Sequence, residues 1–237
     1  MLLRGLAERE GFEPSMQVTP HGGLANRCTR PLCDLSVAAA GAILSSATMT
    51  AERPSATESE LAAITLGPLQ RLTGKIELVE PDPAWPRLFA HEAERIRGLL
   101  GDDVRLLEHV GSTSVPGLPA KPIIDILLVV DDSAIELAYA PRLRAGGYVL
   151  RIREPDWHQH RVFKGPDTNL NLHVFSVGSV EIGRMLGFRD RLRTHPDERE
   201  TYLVAKRDLA ARDWEFVQQY SDAKSAVVEE IIARAQA

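Results

Sequence analysis

Residues 109–130, HVGSTSVPGLPAKPIIDILLVV, constrain this chain more than any other segment. The second half, Ile123-Ile124-Asp125-Ile126-Leu127-Leu128-Val129-Val130, is an apolar run broken by a single aspartate. A short run without alternation reads as a central strand covered on both faces. A carboxylate inside it costs free energy unless it is paired, hydrogen-bonded or bound to a metal. The first half supplies a tight turn, Gly111-Ser112-Thr113-Ser114, with backbone N–H groups and hydroxyls.

The flanking pattern alternates strands and helices. Residues 75–79 alternate like a short strand. Asp82 and Pro83 then open a helix in which Trp85, Leu88, Phe89, Ala93, Ile96 and Leu100 recur at helical spacing. Strands are expected over 104–110, 122–130, 148–153, 160–164 and 169–176, and Gly165-Pro166-Asp167 turns the last two into an antiparallel hairpin. Ser133 is placed to cap a short helix reaching residue 145. Longer helices are expected over 180–194, 198–220 and 222–235. The fold class is α/β, or α+β by sheet type: a mixed sheet flanked by helices, with a helical C-terminal half.

Residues 1–74 are rich in Ala, Ser, Thr, Gly and Pro, and no period persists through them. They read as a disordered tail or as an extension outside the natural protein. EREGFEPS at 8–15 and NRCTRPLCDLS at 26–36 resemble apparent protein sequence read through a tRNA gene, which would make Met49 the natural start. The folded domain is expected over 75–237. Cys28 and Cys33 are the only cysteines, so residues 34–237 hold neither a disulfide framework nor a thiolate metal site. The apolar stretch 35–47 is not preceded by a short basic region, which argues for a cytoplasmic rather than a secreted protein. The net charge of −5 argues against bulk nucleic-acid binding, and no run approaches a membrane span.

A Gly-Ser turn after a strand, followed by an aspartate on the next strand, matches part of the nucleotidyltransferase pattern. In that superfamily the turn holds a nucleotide triphosphate. Two carboxylates spaced Asp-x-Asp and a third from a later strand bind divalent metal, which neutralises phosphate charge and aligns an in-line displacement. HVGSTSVPGLPAKPIID closely resembles the signature of the GrpB family, a branch of that superfamily. The likeness runs over about residues 75–235. It takes in DPAWPRLFAHEAERIR, the hairpin ending NLHVF, and LGFRDRLRTHPDERETYLVAKRDLA. The resemblance implies a nucleotidyltransferase-like fold. Relatives fused to dephospho-CoA kinase make a nucleotide or CoA-related small molecule the implied partner.

The chain departs from the superfamily pattern at two places. Leu127 stands where the second carboxylate belongs, and His173 stands on the later strand where a third would be. Asp125 is the catalytic candidate, and Asp125 with His173 is the candidate metal set for Mg or Mn, although magnesium prefers more oxygen ligands. Gly111, Ser112, Thr113, Ser114, Lys121, Arg161, Arg189 and Arg193 form the candidate phosphate or nucleotide set. Arg189 and Arg193 lie one helical turn apart. Lys206 and Arg207 are weaker candidates, and Glu108 and His160 are candidate bases. His158 and His160, with Arg161 and Lys164 close behind, would share a face as a positive wall.

Plainer readings stand beside these. The hydroxyls can stabilise a turn, His173 can be a core histidine, Lys121 or Arg161 can satisfy Asp125, and the arginines can form a solvated face. Two functions follow. One is a nucleotidyltransferase-like protein that binds a phosphate-bearing small molecule, with metal-dependent nucleotidyl or phosphoryl transfer. The other is a non-catalytic binding module on the same fold. Acceptor and oligomeric state stay open.

Overall fold

The structure is a computed structural model and describes residues 56–236. In chain order its helices are α1 (Glu58–Ile64), α2 (Trp85–Leu100), α3 (Ala140–Ala145), α4 (Val180–Thr194), α5 (Pro196–Ala210), α6 (Val217–Ala223) and α7 (Ser225–Gln236). Its strands are β1 (Leu106–Val110), β2 (Ile124–Val130), β3 (Val149–Glu154), β4 (His160–Lys164) and β5 (Leu170–Ser176). They form one sheet in the order β1-β2-β5-β4-β3. The β2–β5 pair is parallel and the other neighbours are antiparallel.

The apolar run becomes the inner strand β2, flanked by β1 and β5, and both of its faces are covered. Ile124, Ile126, Leu128 and Val130 join Leu170, Leu172, Val174 and Phe163 in a core closed by Trp85, Ala93, Ile96 and Leu100 of α2. Leu127 and Val129 point the other way and pack with Val110 and Phe175 against Ile182, Met185 and Leu186 of α4. The two-residue period of a strand puts Asp125 on the face of Leu127. That face changes character along β2. Its far end is dry beneath α4, and its beginning, at Asp125, faces polar groups of α5, α6 and the turn before α7.

Several elements differ from the sequence reading. Residues 75–79 form no strand; only Val79 bridges Ala120. The alternation there arises because Ile76 and Leu78 pack against Leu209, Ala210 and Tyr220. Ser133 caps no helix. Its Oγ donates to Gln159 O at 2.9 Å, and Asp132 Oδ1 accepts from Ala134 N instead. The helix expected over 198–220 breaks after α5, where Trp214 Nε1 takes the Leu209 carbonyl at 2.7 Å. Residues 56–74, which carry no persistent period, nevertheless include α1. Its Thr57–Glu60 capping box starts it, and Leu61 is buried. Thr65 then bridges Ile152 of β3. Cys28, Cys33, Met49 and the tRNA-like runs lie outside the described residues. Among the described residues no helix is long and apolar enough to cross a membrane.

Candidate functional site

The site is built around the junction of β1, its following turn and the start of β2. Val110 pairs with Asp125, which brings Gly111 directly over the carboxylate. Gly111 has φ +68, and a Cβ there would lie 2.4 Å from Asp125 Oδ2. Only glycine fits both the backbone conformation and the contact. The turn that follows is braced from within. Ser114 Oγ donates to Gly111 O at 2.6 Å, and Thr113 Oγ1 donates to Ile123 O at 3.0 Å. Arg193 holds the Ser114 carbonyl through Nε and Nη2 at 3.1 and 2.8 Å. Thr113, Ser114 and Arg193 therefore shape the turn, and the Ser112 side chain lies near Tyr202 of α5.

Asp125 keeps 27% of its side-chain surface open. Its Oδ1 accepts from Asn171 Nδ2 at 2.7 Å, and Lys164 Nζ donates to Asn171 Oδ1, which fixes the amide's orientation. His173 Nε2 lies 3.5 Å from the same Oδ1. Burial alone would raise the carboxyl. The His173 hydrogen bond and charge, the Asn171 hydrogen bond and the Lys121 charge outweigh it and hold Asp125 below the usual carboxylate range.

Around this carboxylate lies a set of lysines, one of them buried and two half-buried. Lys206 is 1% exposed; its Nζ donates to Pro119 O at 2.6 Å and sits 5.3 Å from the centre of the Tyr202 ring. Lys121 and Lys224 both lie over the Tyr220 ring, at 5.2 and 4.5 Å. Burial, aided by the charges of Lys224 and Lys121, pushes the Lys206 ammonium down to about 7. Burial pushes Lys121 and Lys224 to about 8 and also lowers Lys164. The charge of Asp125 opposes the shift in all four. Among the described residues no ion pair joins Lys121, Lys206 or Lys224 to a carboxylate. The Tyr220 hydroxyl is fully buried and has no hydrogen-bond partner among the described residues. Such a group ordinarily costs about 1–3 kcal/mol. Excess buried positive charge beside an unsatisfied hydroxyl suits an anion.

Other predicted residues lie elsewhere. Arg161 follows His160 on β4 and so points to the opposite sheet face, where its Nε donates to Glu136 Oε1 at 2.6 Å. It stands on the sheet face away from Asp125, in a structural network with Arg153. Arg189 is not a free partner for Arg193. It pins α4 to β1 through Glu108 at 2.8 Å and His109 O at 3.1 Å, and it also holds Asp190. Glu108 is thereby engaged and does not face Asp125. Arg207 lines a separate recess of about 340 Å³ with Lys75, Glu80 and Pro119. His158 does not share a face with His160, because positive φ at His158 and Gln159 turns the chain just before β4.

Lys224, Tyr202 and Tyr220 escape the sequence reading. A signal existed for four residues of the cluster: Tyr202–Lys206 and Tyr220–Lys224 are both Tyr-x-x-x-Lys pairs, one helical turn apart. For a metal, the donor chemistry fits poorly. Asp125 and His173 are the available pair, and among the described residues no three His, Cys, Asp or Glu side chains converge. Asn171 turns its N–H toward Asp125, and the lysine field opposes a cation. Leu127 is fully buried beneath α4, so nothing replaces the missing carboxylate.

Comparison with known proteins agrees with this architecture. The model of the GrpB protein family matches residues 75–234. A UPF0157 protein of Halalkalibacterium halodurans is 59% identical over 181 residues, covering 76% of this chain and 93% of that protein. The crystal structure of GrpB from Enterococcus faecalis superposes with a TM-score of 0.59 at 33% identity, covering 67% of this chain and 96% of that one. A dephospho-CoA kinase of Mycolicibacterium paratuberculosis is 29% identical over 163 residues, covering 58% of this chain and 40% of the kinase.

Proposed function

Because the chain belongs to the GrpB family, we propose that it is a nucleotidyltransferase-like protein that binds a phosphate-bearing small molecule beside Asp125 and the Tyr–Lys pairs. The observation that carries this reading is the cluster of Lys121, Lys206 and Lys224, of which Lys206 is buried and the other two half-buried, and none of which forms an ion pair with a carboxylate among the described residues. Uncompensated buried ammoniums destabilise a fold, and a phosphate or diphosphate relieves that cost on binding. The ligand takes its place against the Gly111–Ser112 turn, with Lys164 at the edge. A nucleotide or a CoA-related molecule has the required chemistry, and the partial likeness to a dephospho-CoA kinase supports that class.

The donor set favours binding without a divalent cation held by the protein itself. A metal would instead arrive with a polyphosphate, as Mg or Mn. The same observation supports a second reading, a binding module without transfer, since Leu127 removes the second carboxylate of the superfamily pattern. Calorimetry with ATP and with pyrophosphate, in EDTA and in magnesium, tests the first reading. Binding in EDTA is expected; no heat from either probe in either buffer would overturn it. Release of pyrophosphate from ATP in the presence of an acceptor would then reject the pure binding module.

A further inference from the structure

Three neighbouring strands place a carboxylate, an amide and an ammonium in one row. Asp125 of β2 is the register partner of Asn171 of β5, and Asn171 is the partner of Lys164 of β4. Register partners share a sheet face, so the three side chains lie side by side. Hydrogen bonds join them. Lys164 Nζ donates to Asn171 Oδ1, and Asn171 Nδ2 donates to Asp125 Oδ1 at 2.7 Å.

The direction of the amide is fixed from both ends. An ammonium has only donors and an ionised carboxylate only acceptors, so a reversed amide would set N–H against N–H and oxygen against oxygen. Both bonds are charge-assisted. The row is an ion pair bridged by an amide: Lys164 answers the charge of Asp125 through Asn171.

This row closes the position where the superfamily pattern holds a divalent cation. A cation approaching Asp125 Oδ1 meets the amide hydrogens of Asn171, and His173 Nε2 stands 3.5 Å from the same oxygen. Asp125 Oδ2 lies against Gly111, where even a Cβ would come within 2.4 Å of it. Turning the Asn171 oxygen toward a cation would break both charge-assisted bonds and leave Lys164 facing the amide N–H groups. Charge opposes a cation as well, because Lys121, Lys164, Lys206 and Lys224 all feel this one carboxylate.

We propose that Asn171, oriented by Lys164, is the specificity-determining residue at Asp125: its N–H keeps divalent cations off the carboxylate, and an oxygen in its place admits one. Asn171 and Lys164 are positioning residues. The lysines then neutralise the phosphate charge that a metal neutralises in the superfamily pattern. That last point rests on the anion-site reading above; the exclusion of the cation does not.

Titration of the full chain with Mn²⁺ alone, read from the electron paramagnetic resonance signal of the free ion, tests the proposal. Asp125→Asn should leave the weak Mn²⁺ binding of the wild type unchanged. Asn171→Asp keeps the side-chain shape and sets a second carboxylate beside Asp125, so it should bind Mn²⁺ about tenfold more tightly or better. Adding Asp125→Asn to that variant should remove the gain. Wild-type binding as tight as that of Asn171→Asp and lost in Asp125→Asn would overturn the proposal. So would a folded Asn171→Asp, checked by circular dichroism, that gains nothing. Lys164→Met at an exposed position covers the case in which two adjacent carboxylates prevent folding. It frees the amide to turn its oxygen and should bind Mn²⁺ severalfold more tightly; unchanged affinity there would equally overturn the proposal. Pyrophosphate titrated into the same samples in EDTA separates the two readings: its failure to bind the wild type removes the anion site and leaves the Mn²⁺ result standing.

Discussion

Arg161 and Arg189 differ from Lys121, Lys206 and Lys224 in one respect that matters. Both arginines are nearly buried, and each guanidinium meets carboxylates: Arg161 meets Glu136, and Arg189 meets Glu108 and Asp190. The lysines are packed over tyrosine rings and share the charge of Asp125, with Asp222 also acting on Lys224, but none forms an ion pair among the described residues. A matched buried pair holds elements together, and breaking it is expensive. An unmatched buried charge weakens the fold and makes sense where a ligand supplies the missing countercharge. The sheet separates the two groups in part: Arg161 lies behind it, and the lysines lie in front.

The contrast can be broken most forcefully at Arg161. Arg161→Met should cost about 3 kcal/mol in urea unfolding, because it strips a buried partner from Glu136, and it should leave pyrophosphate affinity unchanged. A loss of affinity without loss of stability would place Arg161 in the site after all. Gly111→Ala should cost about 2 kcal/mol through its positive φ and the collision with Asp125, with binding reduced as the carboxylate is displaced. Full stability and affinity in that variant would show that the turn does not depend on this close approach.

The pH dependence sharpens the lysine side. Lys206 falls to about 7 and Lys121 and Lys224 to about 8, below the ordinary lysine value of 10.5. Between those values and 10.5 the unfolded chain binds more protons than the folded one. The lysine contribution to stability of the ligand-free protein therefore rises with pH through that window. A bound anion favours the ammonium forms, so binding at pH 8 should take up protons and weaken as the pH climbs further. Titrations in buffers of different ionisation heat measure the uptake; proton release would contradict the assignment.

Much of the fold was legible because it is written in local patterns. The apolar run of β2 and the hairpin turn at Gly165-Pro166-Asp167 lie close to their observed places, and α4 has the expected bounds. Residues 75–79 misled because an alternating pair of apolar side chains fits an irregular segment lying on helices as well as it fits a strand. In the candidate site, Gly111, Ser112, Lys121, Asp125 and His173 converge, since a strand, a turn and the next strand are adjacent in sequence and in space. Arg161 was misplaced because its neighbour His160 takes the face that carries Asp125 and alternation sends Arg161 to the other. The 2.6 Å contact of Glu154 with His160 was invisible because it depends on β3 and β4 meeting in register. Lys224 needed the break after α5 to be known before its turn-mate Tyr220 could be seen facing Lys121.

On the proposed function, the lysine cluster gives up stability in order to hold an anion. Thermal unfolding of the wild type and Lys206→Met, each with and without pyrophosphate in EDTA, measures both sides at once. Without ligand the variant should be the more stable by about 1–2 kcal/mol, having lost a buried unmatched charge. With pyrophosphate only the wild type should rise in unfolding temperature. A variant that is less stable without ligand, and that gains as much from pyrophosphate as the wild type does, would contradict the account.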